Sequence, residues 1–146
     1  MLRGPLGYQI IEAISQILTI QSLGLKNNFL GQKGSCVEEP VCLLANMLIN
    51  SKFLENLDLG YNQITQQSIF CLSLGLTLSK GILNISFEGN PIGQIGLRLL
   101  MKAKNENTEQ EFELNLKLAD SETDAAVEKA KVRIFDANNP EGHYSL

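Results

Sequence analysis

The sequence predicts an α/β fold, a short solenoid with a curved parallel sheet on its concave side and helices on its convex side. Three observations predict it. A nine-residue spelling recurs three times, its copies lie 34 and 28 residues apart, and within each copy the apolar period changes from two to that of a helix. The copies are 20–28, 54–62 and 82–90, each reading apolar-x-x-apolar-x-apolar-x-x-Asn and continuing x-apolar through Leu30, Ile64 and Ile92.

Each unit is justified from its residues. Leu57 and Leu59 alternate with Asn56, Asp58 and Gly60, the two-residue period of a short strand. After the Asn, apolar residues return at helical spacing, as in Leu72 and Leu76 or Leu97, Leu100 and Met101. Neither half buries its apolar face alone, so the units must stack, strand beside strand and helix beside helix. The difference between the two spacings is an insertion of six residues at about Gly34 to Glu39, because the apolar run Val41-Cys42-Leu43-Leu44 is delayed until after Pro40. Pro40 then stands in a first helical turn, where the missing N–H costs nothing.

The Asn that ends each spelling has a physical task. Where a strand turns away, backbone N–H and C=O groups lose their ladder partners, and a buried amide supplies both donor and acceptor. Asn28, Asn62 and Asn90 are therefore expected to form a structural ladder. The spelling resembles the leucine-rich repeats, and the 28-residue spacing, with Gly34, Ser68 and Gly96 at the loop-to-helix position, resembles their ribonuclease-inhibitor-like subclass. The resemblance covers about residues 4–104. It implies binding of a protein partner, with the concave strand face as the binding surface.

Four regions follow. Residues 1–19 read as the helical half of a repeat, with Ile10, Ile14, Ile17 and Leu18 on one face. Residues 20–104 hold the three repeats. Residues 105–135 read as a degenerate capping unit, with strand-like Phe112, Leu114, Leu116 and Leu118, Ala119-Asp120 near the place of the ladder Asn, and a helix capped by Ser121 or Thr123. Residues 136–146 read as a flexible tail. An opening in mid-repeat is expected either of a fragment of a larger array or of a chain whose strand at Ile20 is an exposed edge that something else shields.

Composition narrows the function. A net charge of −4 on 146 residues argues against a nucleic-acid surface. Residues 1–100 hold six basic and six acidic side chains, so the whole imbalance lies in the last third. Cys36, Cys42 and Cys71 are odd in number and irregular in spacing, a poor disulfide framework; Cys42 and Cys71 read as small core residues. The apolar stretch Ile69 to Leu83 is too short to span a membrane and holds Lys80. Asn84-Ile85-Ser86 spells a glycosylation triplet but falls in a strand. The expected address is the cytoplasm.

No reactive constellation emerges. The single His143 lies in the tail, far from any nucleophile motif, and no metal-ligand spacing is present. The expectation is a non-enzyme with no cofactor, no metal and no membrane contact. Partner-binding residues are expected among the outward strand positions and adjoining loops: Lys26, Asn56, Asp58, Asn84, Ser86, Glu88, Glu113 and Lys117, with Tyr61 as aromatic anchor. Glu38 and Glu39 of the insertion are further loop candidates. Four strands of five residues present roughly 300 Å², against about 800 Å² per partner in a stable interface, so loops or further repeats must contribute. The alternative is an enzyme regulator, an inhibitor or a protein resembling the leucine-rich GTPase-activating proteins; Arg98, the one arginine within the repeats, is expected on a helix.

Overall fold

The computed structural model describes residues 4–28, 30 and 39–117. Strands and helices alternate along them: α1 (Gly4–Ser15), β1 (Ser22–Gly24), α2 (Glu39–Asn50), β2 (Asn56–Asp58), α3 (Gln66–Leu78), β3 (Asn84–Ser86), α4 (Gly93–Glu106) and β4 (Glu113–Asn115). The strands form one parallel sheet in the order β1-β2-β3-β4. Parallel neighbours require a crossover, and each crossover here carries a helix. The helices pack in sequence order, α1 on α2, α2 on α3 and α3 on α4. Most of the insertion (34–38), the expected helix after Thr123 and the tail with His143 lie outside the described residues.

The register follows the repeat. Ser22 pairs with Asn56, Asn56 with Asn84 and Asn84 with Glu113; one residue on, Leu23, Leu57, Ile85 and Leu114 form the same row. Alternate residues of each strand and its flanks point at the helices: Leu25, Leu57, Leu59, Ile85, Phe87, Phe112 and Leu116 are all buried. Leu54, Ile64, Ile82 and Ile92 bring the chain into and out of the strands and complete the same core. The helices contribute Val41, Leu44 and Leu48, then Ile69, Leu72 and Leu76, then Leu97, Leu100 and Ala103.

Two features depart from the sequence reading. The face expected of the first helix is displaced. The helix stops at Ser15, so Ile17 and Leu18 fall in the following turn and are exposed, as is Ile10. The residues turned toward α2 are Ile11 and Ile14. Cys42 and Cys71 are not fully buried; each is half-buried, Cys71 packs against the core, and their sulfurs touch at 2.9 Å between α2 and α3. In addition, α3 is apolar on both sides. Its outward face exposes Phe70, Leu74 and Leu78, spaced one helical turn apart.

A second polar series runs at the C-terminal ends of the helices, through buried Ser51 and Ser79 and half-buried Asn107, spaced 28 and 28 residues apart. Ser51 Oγ donates to Leu18 O and accepts from the N–H groups of Phe53 and Leu54. Ser79 Oγ accepts from Ile82 N–H. Asn107 Nδ2 reaches back to Leu76 O and Ser79 O while its Oδ1 accepts from Glu109 and Gln110 N–H. Helix C-termini leave carbonyls without partners, and these side chains hold the chain as it turns toward the next strand. The even spacing also places the insertion before Ser51, consistent with its position ahead of α2.

Candidate protein-binding face

The face of the sheet not covered by helices is a shallow trough of about 510 Å³. Polar side chains line it because the residues between the buried leucines alternate outward, although apolar atoms of the strands make up most of its surface. Ser22, Asn56 and Asn84 occupy one register row and are joined side by side. Asn84 Nδ2 donates to Asn56 Oδ1 at 2.9 Å, and Asn56 Nδ2 donates to Ser22 Oγ at 3.1 Å. Glu113 ends that row, exposed, 4.0 Å from Lys104 Nζ. The next row is Gly24, Asp58, Ser86 and Asn115. Asp58 turns part of its carboxylate inward, accepting Gly60 N–H at 2.9 Å, and Ser86 Oγ accepts Glu88 N–H at 3.4 Å.

The turns after the strands gather the charged residues. Glu88 lies between Lys26 Nζ at 3.9 Å and Lys117 Nζ at 3.8 Å. These pairs are long and solvated, so they contribute little to stability and leave both ammonium groups able to exchange partners. Tyr61 lies among them, with its hydroxyl donating to Glu88 Oε1 at 3.4 Å and Lys26 Nζ 5.2 Å from its ring centroid. The structure therefore brings Lys26, Asn56, Asp58, Tyr61, Asn84, Ser86, Glu88, Glu113 and Lys117 along one open face and its rim.

Below that rim the ladder Asn residues set the turn. Asn62 Oδ1 accepts Asn28 N–H at 2.9 Å and Leu30 N–H at 3.3 Å, while Nδ2 donates to Leu25 O and Gly60 O at 2.7 and 3.0 Å. Asn90 repeats this one unit on, accepting from Asn62 and Ile64 N–H at 2.9 and 3.0 Å and donating to Leu59 O and Phe87 O at 2.8 and 2.9 Å. Both side chains are buried; Asn28 is half-buried, with Nδ2 donating to Leu25 O and Lys26 O.

This turn requires a left-handed residue immediately before each Asn. Asn27, Tyr61 and Gly89 have φ of 62°, 53° and 71°. Asn and Gly tolerate that region, whereas Tyr does not favour it. Tyr61 is nevertheless 43% exposed, and its ring rests against Gly89, where an added Cβ would stand 2.4 Å from ring carbons. Sequence reasoning singled out Tyr61 but missed its backbone conformation. The signal was present in its alignment with Asn27 and Gly89. Ser22 and Asn115, outward strand positions not counted among the expected partner-binding residues, complete the two register rows.

Among the described residues, no group of three or more His, Cys, Asp or Glu is placed to hold a metal ion, and no helix is long and apolar enough to cross a membrane. Arg98 lies exposed on α4, on the helical side of the molecule.

No family model matches this sequence, and no curated protein matches it either. Solved structures do share its fold. The tropomodulin C-terminal domain of Caenorhabditis elegans superimposes with a TM-score of 0.64 at 16% identity, covering 90% of this chain and 77% of that one. The leiomodin-1 actin-binding site 2 superimposes with a TM-score of 0.65 at 12% identity, covering 89% of this chain and 69% of that one. Both are domains of leucine-rich-repeat type, and the strand–helix architecture of this chain is similar to theirs.

Proposed function

We propose that this chain is a non-enzymatic protein-binding module, a short leucine-rich-repeat solenoid of the ribonuclease-inhibitor-like subclass. It binds a protein partner in the cytoplasm through the open face of its sheet and the turn that carries Tyr61. In this reading residues 20–104 are three repeats, and β4 opens the capping unit.

The observation that carries the proposal is Tyr61. A left-handed backbone at a bulky residue costs about 1 kcal/mol or more, and such strain concentrates where a side chain has a task to perform. Gln63 shares this backbone region with a φ of 57°, but Tyr61 is an exposed aromatic, the residue class enriched among interface anchors. Its ring is held in place by Gly89, and Lys26, Glu88 and Lys117 surround it. The trough beside it offers amides and carboxylates in register, suited to the backbone and side-chain groups of an extended protein segment. Since the sheet face alone presents roughly 300 Å², the Tyr61 rim supplies area that a stable contact needs.

The similar leiomodin-1 domain is an actin-binding site, so actin is the first partner to assay. Co-sedimentation with actin filaments and titration of fluorescent monomeric actin test it directly. Specific binding lost on Asp58→Lys and on Tyr61→Ala is the expected result. Absence of binding to both actin forms removes actin as the partner. A captured protein whose affinity ignores both substitutions removes the open face as the site.

A further inference from the structure

We propose that Cys42 and Cys71 are an oxidisable pair, cross-linked by a peroxide-class oxidant into a disulfide that staples α2 to α3. The two thiol sulfurs stand 2.9 Å apart, and closure to the S–S length of about 2.05 Å requires less than 1 Å of movement.

The proximity is built into the helices. On α2, Cys42 and Ala45 are three residues apart; on α3, Cys71 and Gly75 are four apart, so each pair lies on one helical ridge. Gly75 is what lets these ridges meet. A Cβ added there would stand 2.8 Å from Ala45 O and 3.0 Å from Ala45 Cα, so the two backbones are in direct contact. One turn back along both helices are the sulfurs. Both cysteines are half-buried, open enough for a small oxidant yet held by packed helices rather than by loops.

The chemistry balances with peroxide as the oxidant. One thiol gives up its proton, its thiolate attacks a peroxide oxygen, the O–O bond breaks, and a sulfenic acid forms while the released hydroxide takes up that proton as water. The second thiol likewise gives up its proton, its thiolate attacks the sulfenic sulfur, the S–O bond breaks, the S–S bond forms, and the hydroxide that leaves takes up the proton as a second water. The sulfur pair loses two electrons and the peroxide gains them. The resulting bridge closes a loop that contains β2, removing freedom from the unfolded chain.

The test uses the full chain treated with hydrogen peroxide and mapped by mass spectrometry without reduction. Glu38 and Glu39 lie between Cys36 and Cys42, so a glutamate-specific protease separates the two. A Cys42–Cys71 peptide pair in the wild type and in Cys36→Ser, lost in Cys42→Ser and Cys71→Ser and reversed by dithiothreitol, is expected. The oxidised Cys36→Ser chain is expected to hold no bridge between chains and to melt higher than its reduced form by on the order of 10 °C. A dominant bridge that includes Cys36, a bridge between two chains, overoxidation without any bridge, or a lower melting temperature on oxidation overturns the proposal. Mapping the wild type needs no substitution, so a misfolded variant does not protect it.

Discussion

Asn62 and Asn28 hold the same place in successive repeats and live in different surroundings. Asn62 is buried and joins two units, taking N–H groups from Asn28 and Leu30 and giving its own to Leu25 O and Gly60 O. Asn28 is half-buried, and the acceptors of its amide, Leu25 O and Lys26 O, belong to its own unit. The strands around them differ in the same way: Leu57 and Ile85 are buried, whereas their register partner Leu23 at the edge is half-buried. The value of a repeat position therefore comes from the neighbours stacked on it rather than from the spelling.

The largest effect that sharpens this contrast is in the core. Leu59→Ala is expected to cost about 4 kcal/mol in urea unfolding, and Leu23→Ala about 1 kcal/mol, because only the first leaves a closed cavity. Equal losses would mean that the edge unit is packed as tightly as the inner ones. Next comes the ladder. Asn62→Ala strands four backbone groups and is expected to cost about 3 kcal/mol, against about 1 kcal/mol for Asn28→Ala, whose surroundings water reaches. A measured order reversed from this breaks the comparison.

Smaller effects belong to the left-handed position. Gly89→Ala puts a Cβ into a positive φ and into the Tyr61 ring, at about 1–2 kcal/mol. In a Tyr61→Asn background the same change is expected to cost less, and a double-mutant cycle showing no coupling would deny that the ring rests on Gly89. Smallest is Tyr61→Asn itself. Asn27 already serves at this position, so stability is expected to stay within about 0.5 kcal/mol while partner affinity falls. A clear loss of stability would mean that the ring holds the turn together rather than awaiting a partner.

The repeat made the sheet legible in advance. Leu57, Leu59 and Ile85 had to share one side because the strand period is two, and the Asn spacing fixed which residues stood opposite. What escaped was whatever depends on where elements stop and how closely they approach. The period through Ile10, Ile14, Ile17 and Leu18 is helical on paper, but the helix ends at Ser15 and Ile11 takes the buried place. Cys71 reads as a core residue until Gly75 draws α3 against α2 and leaves the sulfurs at the seam. The exposed Phe70, Leu74 and Leu78 are equally invisible, since apolar residues all round a helix do not say which side is covered. At the rim, the register predicted which side chains share the face, whereas the meeting of Tyr61, Lys26 and Glu88 depends on how far each side chain reaches across its neighbour's turn.

The touching backbones at Ala45 and Gly75 also bear on curvature. Strands repeat about every 4.8 Å while packed helices stand about 8–10 Å apart, so an array of such units must fan open on its helical side. The wedge angle of each joint is set by helix separation. At the joint between α3 and α4, a Cβ on Gly96 would meet Ile69 side-chain atoms at an ordinary 3.7 Å; at the joint between α2 and α3, one on Gly75 would collide with backbone. The second joint is therefore made by backbone meeting backbone, whereas at the third the side chain of Ile69 comes between the helices.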